Sequence, residues 1–320
     1  MEVLAADIGY GFTKVVSASR VRVYPSVVIP KLHTHIAVDI DTQKDSPDIV
    51  SYGNTEYLYG SKAMRFGKKS QFPPRHRCFT QSNTYAVLLL SALSLVHNRD
   101  VYFVTGLPVS VYENEGIKTS YQEWVLNILR PHGAINIKVL PQAMGAYYDA
   151  VLDIQGKPID KNLLMKKCAV VDIGYYTTDI VVLDHLDLIY RETIPLGVSI
   201  ACEFLVQELS SQKEISMHEA EMLLRGEKLF ICGKPVDVGN TIEAAKDRAW
   251  NLISTAVTDR IGRGEDFHLV IPVGGGSVLY RNKLARLFKG AHFSHNPSLS
   301  NAYGYFKYGI RQIRKGSKDA

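Results

Sequence analysis

The chain has 320 residues, 46% of them hydrophobic and 22% charged, with a formal net charge of +5. This is the composition of a globular protein with room for two domains or one large one, and it excludes an extended disordered chain. So mild a positive charge does not by itself argue for nucleic acid.

In chain order, the first element is the apolar run Val3-Leu4-Ala5-Ala6, a buried strand that ends on Asp7. Gly9 and Gly11 permit a tight turn, and Val15-Val16 return antiparallel. Arg22 to Pro30 reads as a third strand broken by prolines. Residues 40–80 are polar and rich in Gly, Pro and Lys, an excursion at the edge of the first domain. Within it Lys62, Arg65, Lys68, Lys69, Arg75 and Arg77 lie in a stretch without acids, read either as a solvated loop or as a contact surface for a partner or polymer. Asn83 or Thr84 can cap a helix over 85–96. That helix holds the longest apolar stretch, too short to cross a bilayer, which takes about 20 residues.

A strand follows from Val101, then a strand, a Pro141-Gln142 turn and a helix between Ile135 and Val151. Cys168 to Val171 is a second buried strand ending on Asp172, and Ile180 to Leu183 return from it. Apolar residues at helical spacing mark 197–209 and 242–261. His268 to Val273 is a strand running into Gly274-Gly275-Gly276, and 301–313 reads as a short helix with Arg311, Arg314, Lys315 and Lys318 at the tail. The alternation argues α/β layers. The N-terminus starts a strand at once, without the charged-then-apolar layout of a signal peptide, so a cytoplasmic protein is expected. Cys78, Cys168, Cys202 and Cys232 are scattered, with no CxxC pair, and read as reduced thiols.

Self-similarity carries the functional signal. AADIGYGFTKVV (5–16) matches VVDIGYYTTDIV (170–181): Asp7 falls on Asp172, Gly9 on Gly174, Tyr10 on Tyr175 and Thr13 on Thr178, at a constant offset of 165. Two copies of one hairpin half a chain apart suggest two domains on one plan. Each tip gathers backbone N–H groups and hydroxyls in the manner of a phosphate-binding nest: Gly9, Tyr10, Gly11, Phe12, Thr13 and Lys14 in one, and Gly174, Tyr175, Tyr176, Thr177 and Thr178 in the other. Asp7 and Asp172, paired carboxylates at a phosphate site, suit a hydrated Mg²⁺, which binds few protein ligands. Gln142, opening a helix after a strand, can orient a water for attack on a γ-phosphate; an amide is no strong base, so turnover should be slow. Gly274, Gly275 and Gly276 let backbone approach a flat or anionic ligand.

The order DIGYGFTK, LPQAMGAYY, VVDIGYYTTD, VIPVGGGSVL, NAYGYFKYG resembles the phosphate-1, connect-1, phosphate-2, adenosine and connect-2 segments of the actin/Hsp70/sugar-kinase superfamily. YPSVV, TGLPVSVY and PLGVS resemble its actin-like ParM/StbA group, filament-forming proteins that segregate plasmids. The resemblance covers nearly the whole chain, except that 40–80 matches no segment residue by residue and that Gln142 stands where some ParM relatives carry Glu. It implies two RNase H-like domains: domain I over 1–143, completed by 298–320, and domain II over 144–297. It also implies ATP or GTP with Mg²⁺ between them, Gly274 to Gly276 under the adenosine, and hinge motion permitted by Gly145 and Gly304. The expected function is a slow ATPase that polymerises, with Gln142 and Asp172 catalytic. The expected partners are further copies of the chain and a DNA-binding adaptor, with neither direct nucleic-acid binding nor membrane insertion. The basic stretch at 62–77 would be a longitudinal subunit contact. The alternatives are a small-molecule kinase of the same superfamily and a monomeric ATP-gated binding module.

Overall fold

The computed structural model describes residues 1–31, 48–66, 79–96, 100–112 and 114–316. Lys68, Lys69, Arg75, Arg77, Cys78 and Lys318 lie outside the described residues, and with them most of the basic stretch. The chain divides into two units, one of Met1–Leu107 and Val111–Leu140, the other of Pro108–Ser110 and Pro141–Ala320.

The first unit is built on β1 (Glu2–Ile8), β2 (Phe12–Ser17), β3 (Val21–Pro25), β4 (Val28–Pro30), β5 (Ile49–Tyr52) and β6 (Thr55–Tyr59). These are followed by α1 (Gly60–Phe66), α2 (Asn83–Leu93), β7 (Val101–Leu107), α3 (Val109–Tyr112), α4 (Glu115–Leu129) and β8 (Ala134–Pro141). Its main sheet has the order β3-β2-β1-β7-β8, with β1 antiparallel to β2 and parallel to β7. β1 is buried from Val3 to Ile8, as its unbroken apolar run requires of a central strand. α2 is buried at every position from Tyr85 to Leu93, so it is a core helix, apolar all round.

Three sequence readings change here. Arg22 to Pro30 is two strands in two sheets, because at Ser26 the chain leaves the main sheet: its N–H donates to the Gly11 carbonyl (2.9 Å) and its hydroxyl shares a hydrogen with Thr13 (2.9 Å). The described part of the polar excursion is ordered structure, a β4-β6-β5 sheet with α1, held by Val27, Ile29, Leu58 and Ala63. The cap of α2 is Ser82, whose hydroxyl oxygen accepts from the Tyr85 N–H, so neither Asn83 nor Thr84 fills that role.

The second unit opens with α5 (Met144–Val151) and continues through β9 (Cys168–Ile173), β10 (Thr178–Asp184), β11 (Asp187–Ile194), α6 (Ser199–Leu209) and α7 (Met217–Leu224). Then come the hairpin β12 (Leu229–Ile231) and β13 (Lys234–Val236), α8 (Gly239–Ile261), β14 (Leu269–Val273), α9 (Gly275–Leu279), α10 (Arg281–Leu287) and α11 (Ser300–Gly316). Its sheet runs β11-β10-β9-β14, with β9 antiparallel to β10 and parallel to β14. This is the order and the set of directions of β3-β2-β1-β7 in the first unit. The layers are helix on mixed sheet in both, as the repeat predicts. The expected short C-terminal helix is 17 residues long. It packs across α5, within the second unit. Among the described residues, no helix is long and apolar enough to cross a membrane.

Candidate functional site

The two repeated hairpins have the same register. Asp7 sits opposite Lys14, Ile8 opposite Thr13 and Ala6 opposite Val15; Asp172 sits opposite Asp179, Ile173 opposite Thr178 and Val171 opposite Ile180. Each turn is closed by the same bond, Gly9 N–H to the Phe12 carbonyl (3.1 Å) and Gly174 N–H to the Thr177 carbonyl (2.8 Å). Burial repeats as well. Gly9 to Phe12 and Gly174 to Thr177 are half-buried tips, while Thr13 and Thr178 are buried. The threonine hydroxyls turn inward, Thr13 to Ser26 and Thr178 donating to the Leu196 carbonyl (2.8 Å). They fasten each hairpin to the rest of its unit, which leaves the tips to the main chain of Gly9–Phe12 and Gly174–Thr177.

The cross-strand partner of the aspartate separates the copies. Asp7, 2% exposed, is paired with Lys14 at 2.8 Å. Asp179 stands at the equivalent position in the second copy and is likewise buried. Burial pushes its carboxyl up to about 7; the Thr193 hydroxyl that donates to it works the other way, and the nearby charge of Asp172 adds to the rise. The first hairpin carries a neutralised ion pair, the second a pair of carboxyls.

Around the second tip the backbone is packed tightly. The Gly174 and Tyr175 carbonyls accept from the N–H groups of Val198 (3.1 Å) and Ser199 (2.7 Å). A Cβ at Gly197 would lie 2.5 Å from the Tyr175 oxygen, so only glycine lets this loop approach. Tyr175 turns toward Cys202 and Glu221, and burial drives its phenol far above the ordinary range. Tyr10, its counterpart, stacks on Phe79 (ring centroids 4.7 Å apart).

The three glycines after β14 divide by role. Gly274 has φ +84°, and a Cβ there would fall 2.3 Å from Asp172 Oδ1; a Cβ at Gly276 would fall 2.2 Å from Ile173 Cγ2. These two permit contact with the end of β9. Gly275 is open, its nearest neighbour the Arg225 guanidinium at 3.6 Å from a Cβ position. That guanidinium is held by the buried Glu221 at 2.7 Å.

Gln142 is half-buried in the turn between β8 and α5. Its carbonyl accepts from the Gly145 N–H (3.2 Å) and from the Tyr305 hydroxyl (2.8 Å). α11 also supplies Asn301, whose Nδ2 donates to Asp172 Oδ2 (2.6 Å) while its Oδ1 accepts from the Ala146 N–H (3.0 Å). The helices meet without side chains between them, since a Cβ at Gly304 would fall 1.6 Å from the Gly145 carbonyl oxygen.

Two family models match, "Actin like proteins N terminal domain" over residues 5–145 and "Archaeal actin homologue MreB-like, C-terminal" over residues 170–286. The chain belongs to the actin-like proteins. An archaeal actin homolog of Thermoplasma acidophilum is 25% identical over 95% of this chain and 98% of its own length. Among solved structures, this actin-like protein is similar to a 15-stranded ParM filament from Clostridium botulinum (TM-score 0.77, 22% identity, 96% of this chain and 98% of that one). It is also similar to an archaeal actin homolog in complex with ADP (TM-score 0.71, 18% identity, 99% of this chain and 100% of that one). The fold expected from the resemblance, two RNase H-like domains, is the fold found.

Several residues of this actin-like protein escaped the sequence reading. Asp179 carried a signal, because the repeat places it against Lys14. Gly197 lies in PLGVS, with no local cue to the backbone it touches. Glu221 and Arg225 had none, being brought to the site by tertiary structure alone; Asn301 and Tyr305 lie within NAYGYFKYG, whose spacing does not show what their side chains meet.

Proposed function

We propose that this actin-like protein binds ATP with Mg²⁺, hydrolyses it slowly and polymerises into filaments that move DNA through an adaptor protein. The observation that carries this reading is the duplicated hairpin, with the same register, turn bond and half-buried tip in both units and an aspartate at the same place in each. Two nests of backbone N–H groups suit the phosphates of a nucleoside triphosphate.

The residues fit Mg²⁺. Asp172 is a buried carboxylate whose Oδ1 borders the cradle that a Cβ at Gly274 would fill. Among the described residues no three His, Cys, Asp or Glu side chains converge. Mg²⁺ binds few protein ligands and keeps several waters, so Asp172 with waters and phosphate oxygens would suffice to hold it, and Asp7 is the corresponding carboxylate of the first unit. When bound it supplies charge neutralisation at the phosphates. Lys14 adds a positive charge beside Asp7. Gln142 would orient the attacking water, and as an amide it takes no proton, consistent with slow turnover. Gly275, beside Arg225, is the open edge for the adenosine. The ADP complex of the archaeal homolog and the ParM filament support the nucleotide and the polymer respectively.

The test is sedimentation and phosphate release with ATP and Mg²⁺ and no other substrate. Nucleotide-dependent pelleting with slow phosphate release, both lost in Asp172→Ala, is expected; GTP in place of ATP tests base preference. Phosphate transfer only on addition of a hydroxyl compound would indicate a kinase. ATP binding without pelleting at any concentration would indicate a monomeric binding module.

A further inference from the structure

We infer that Asn301 and Tyr305, one turn apart on α11, are positioning residues for turnover, fixing the Asp172 carboxylate and the Gln142 turn relative to each other. The inference rests on the proposed ATPase reading, in which Asp172 and Gln142 act on the phosphate and the water. Side chains four apart lie on one face of a helix. Asn301 is 5% exposed and Tyr305 fully buried, so neither side chain has solvent as an alternative partner.

The amide of Asn301 is used at both ends, and its two partners are not interchangeable. The carboxylate of Asp172 only accepts and the N–H of Ala146 only donates, so one orientation alone satisfies the pair. The donor bond at 2.6 Å leads to a charged acceptor, the stronger class of hydrogen bond. It fixes Oδ2 of Asp172 and thereby the direction in which Oδ1 points. Tyr305 holds the other element, its hydroxyl donating to the carbonyl of Gln142 itself. The backbone contact at Gly145 and Gly304 leaves no slack between the two anchors. Further along, Lys307 reaches Asp149 (2.7 Å) and Arg311 the Gly156 carbonyl (3.2 Å), so α11 is fastened to the chain leaving α5 as well as to its start. One rigid helix thus sets two groups that lie 30 residues apart in sequence. Displacement of either by a fraction of an ångström costs rate rather than binding.

The experiment compares the full-length wild type with Asn301→Leu, Asn301→Asp and Tyr305→Phe, measuring kcat and KM for ATP, the equilibrium affinity for a fluorescent ADP analogue, and the melting temperature. Asn301→Asp keeps the acceptor for Ala146 but removes the donor to Asp172, and Tyr305→Phe keeps the buried ring. The expected result is a kcat lowered roughly tenfold or more in all three, with nucleotide affinity within about threefold of wild type. A kcat for Asn301→Asp and Tyr305→Phe equal to wild type overturns the inference even if Asn301→Leu fails to fold. Equal losses in affinity and kcat, tracking the melting temperature, overturn it in favour of a purely structural role. A wild-type chain that binds no ATP overturns the functional reading and this inference with it, whereas a wild type that turns over ATP at the same rate as its variants overturns this inference alone.

Discussion

At the scale of single residues, the difference between the two hairpins is the difference between Lys14 and Asp179. An ion pair needs no proton to be stable; two buried carboxyls on adjacent strands do. With its carboxyl raised from about 4 to about 7, Asp179 is protonated in the native state and ionised in the unfolded chain between those values. Its contribution to stability is therefore fully present below pH 4 and is lost as pH rises toward 7, by up to about 1.4 kcal/mol for each pH unit. Asp179→Asn should remove that slope and make the nucleotide-free protein more stable than wild type at pH 8. Urea midpoints in EDTA at a series of pH values test this; parallel profiles for the two proteins would mean that Asp179 is ionised when folded. This position was legible. The repeat that aligns Asp7 with Asp172 aligns Lys14 with Asp179, so the reversal of sign is present in the sequence itself. Asn301 opens the NAYGYFKYG segment, but its partners were not legible, because Asp172 and Ala146 are 129 and 155 positions away and neither spacing has a helical or strand period.

At the scale of elements, strands and turns with strong local grammar were readable and edges were not. β1 and β9, buried on both faces, announced themselves as unbroken apolar runs. β5 and β6 did not, since IVSY and TEYLY are half-polar strands in a stretch whose composition reads as loop, and only the three-stranded sheet gives them partners. The second hairpin tip shows the same limit. Its glycine at 174 is explained by the turn, but its shape is completed by Gly197, from the loop after β11. Gly197→Ala should push that loop off Tyr175 and loosen the tip, lowering nucleotide affinity by about tenfold, or 1.4 kcal/mol. The comparison is Gly316→Ala, a glycine of ordinary helical backbone with nothing within 4 Å of a Cβ position. Calorimetry with ADP reads the affinity; equal affinities for the two variants would remove the tip from the binding surface.

At the scale of the whole molecule, the duplication accounts for most of the fold, and the departures from it account for most of what is specific. Both main sheets repeat one order and one set of strand directions, so a single motif found twice in the sequence was enough to anticipate two domains of one architecture. The C-terminal helix lies outside that economy. It belongs to neither repeated sheet, and it reaches the site because the chain folds back over α5. The glycine contact that allows this has a genetic consequence. Most tight contacts in a protein can be relieved from either side, since an enlarged residue is answered by a smaller neighbour. At Gly304 the opposing atom is the main-chain oxygen of a residue that already lacks a side chain, so nothing at position 145 can be trimmed. A selection for suppressors of Gly304→Ala should therefore return true revertants or changes that shift a helix bodily, at the Lys307–Asp149 and Arg311–Gly156 anchors, and none at residue 145. Recovery of a substitution at Gly145 that restores turnover would show that the two backbones can part.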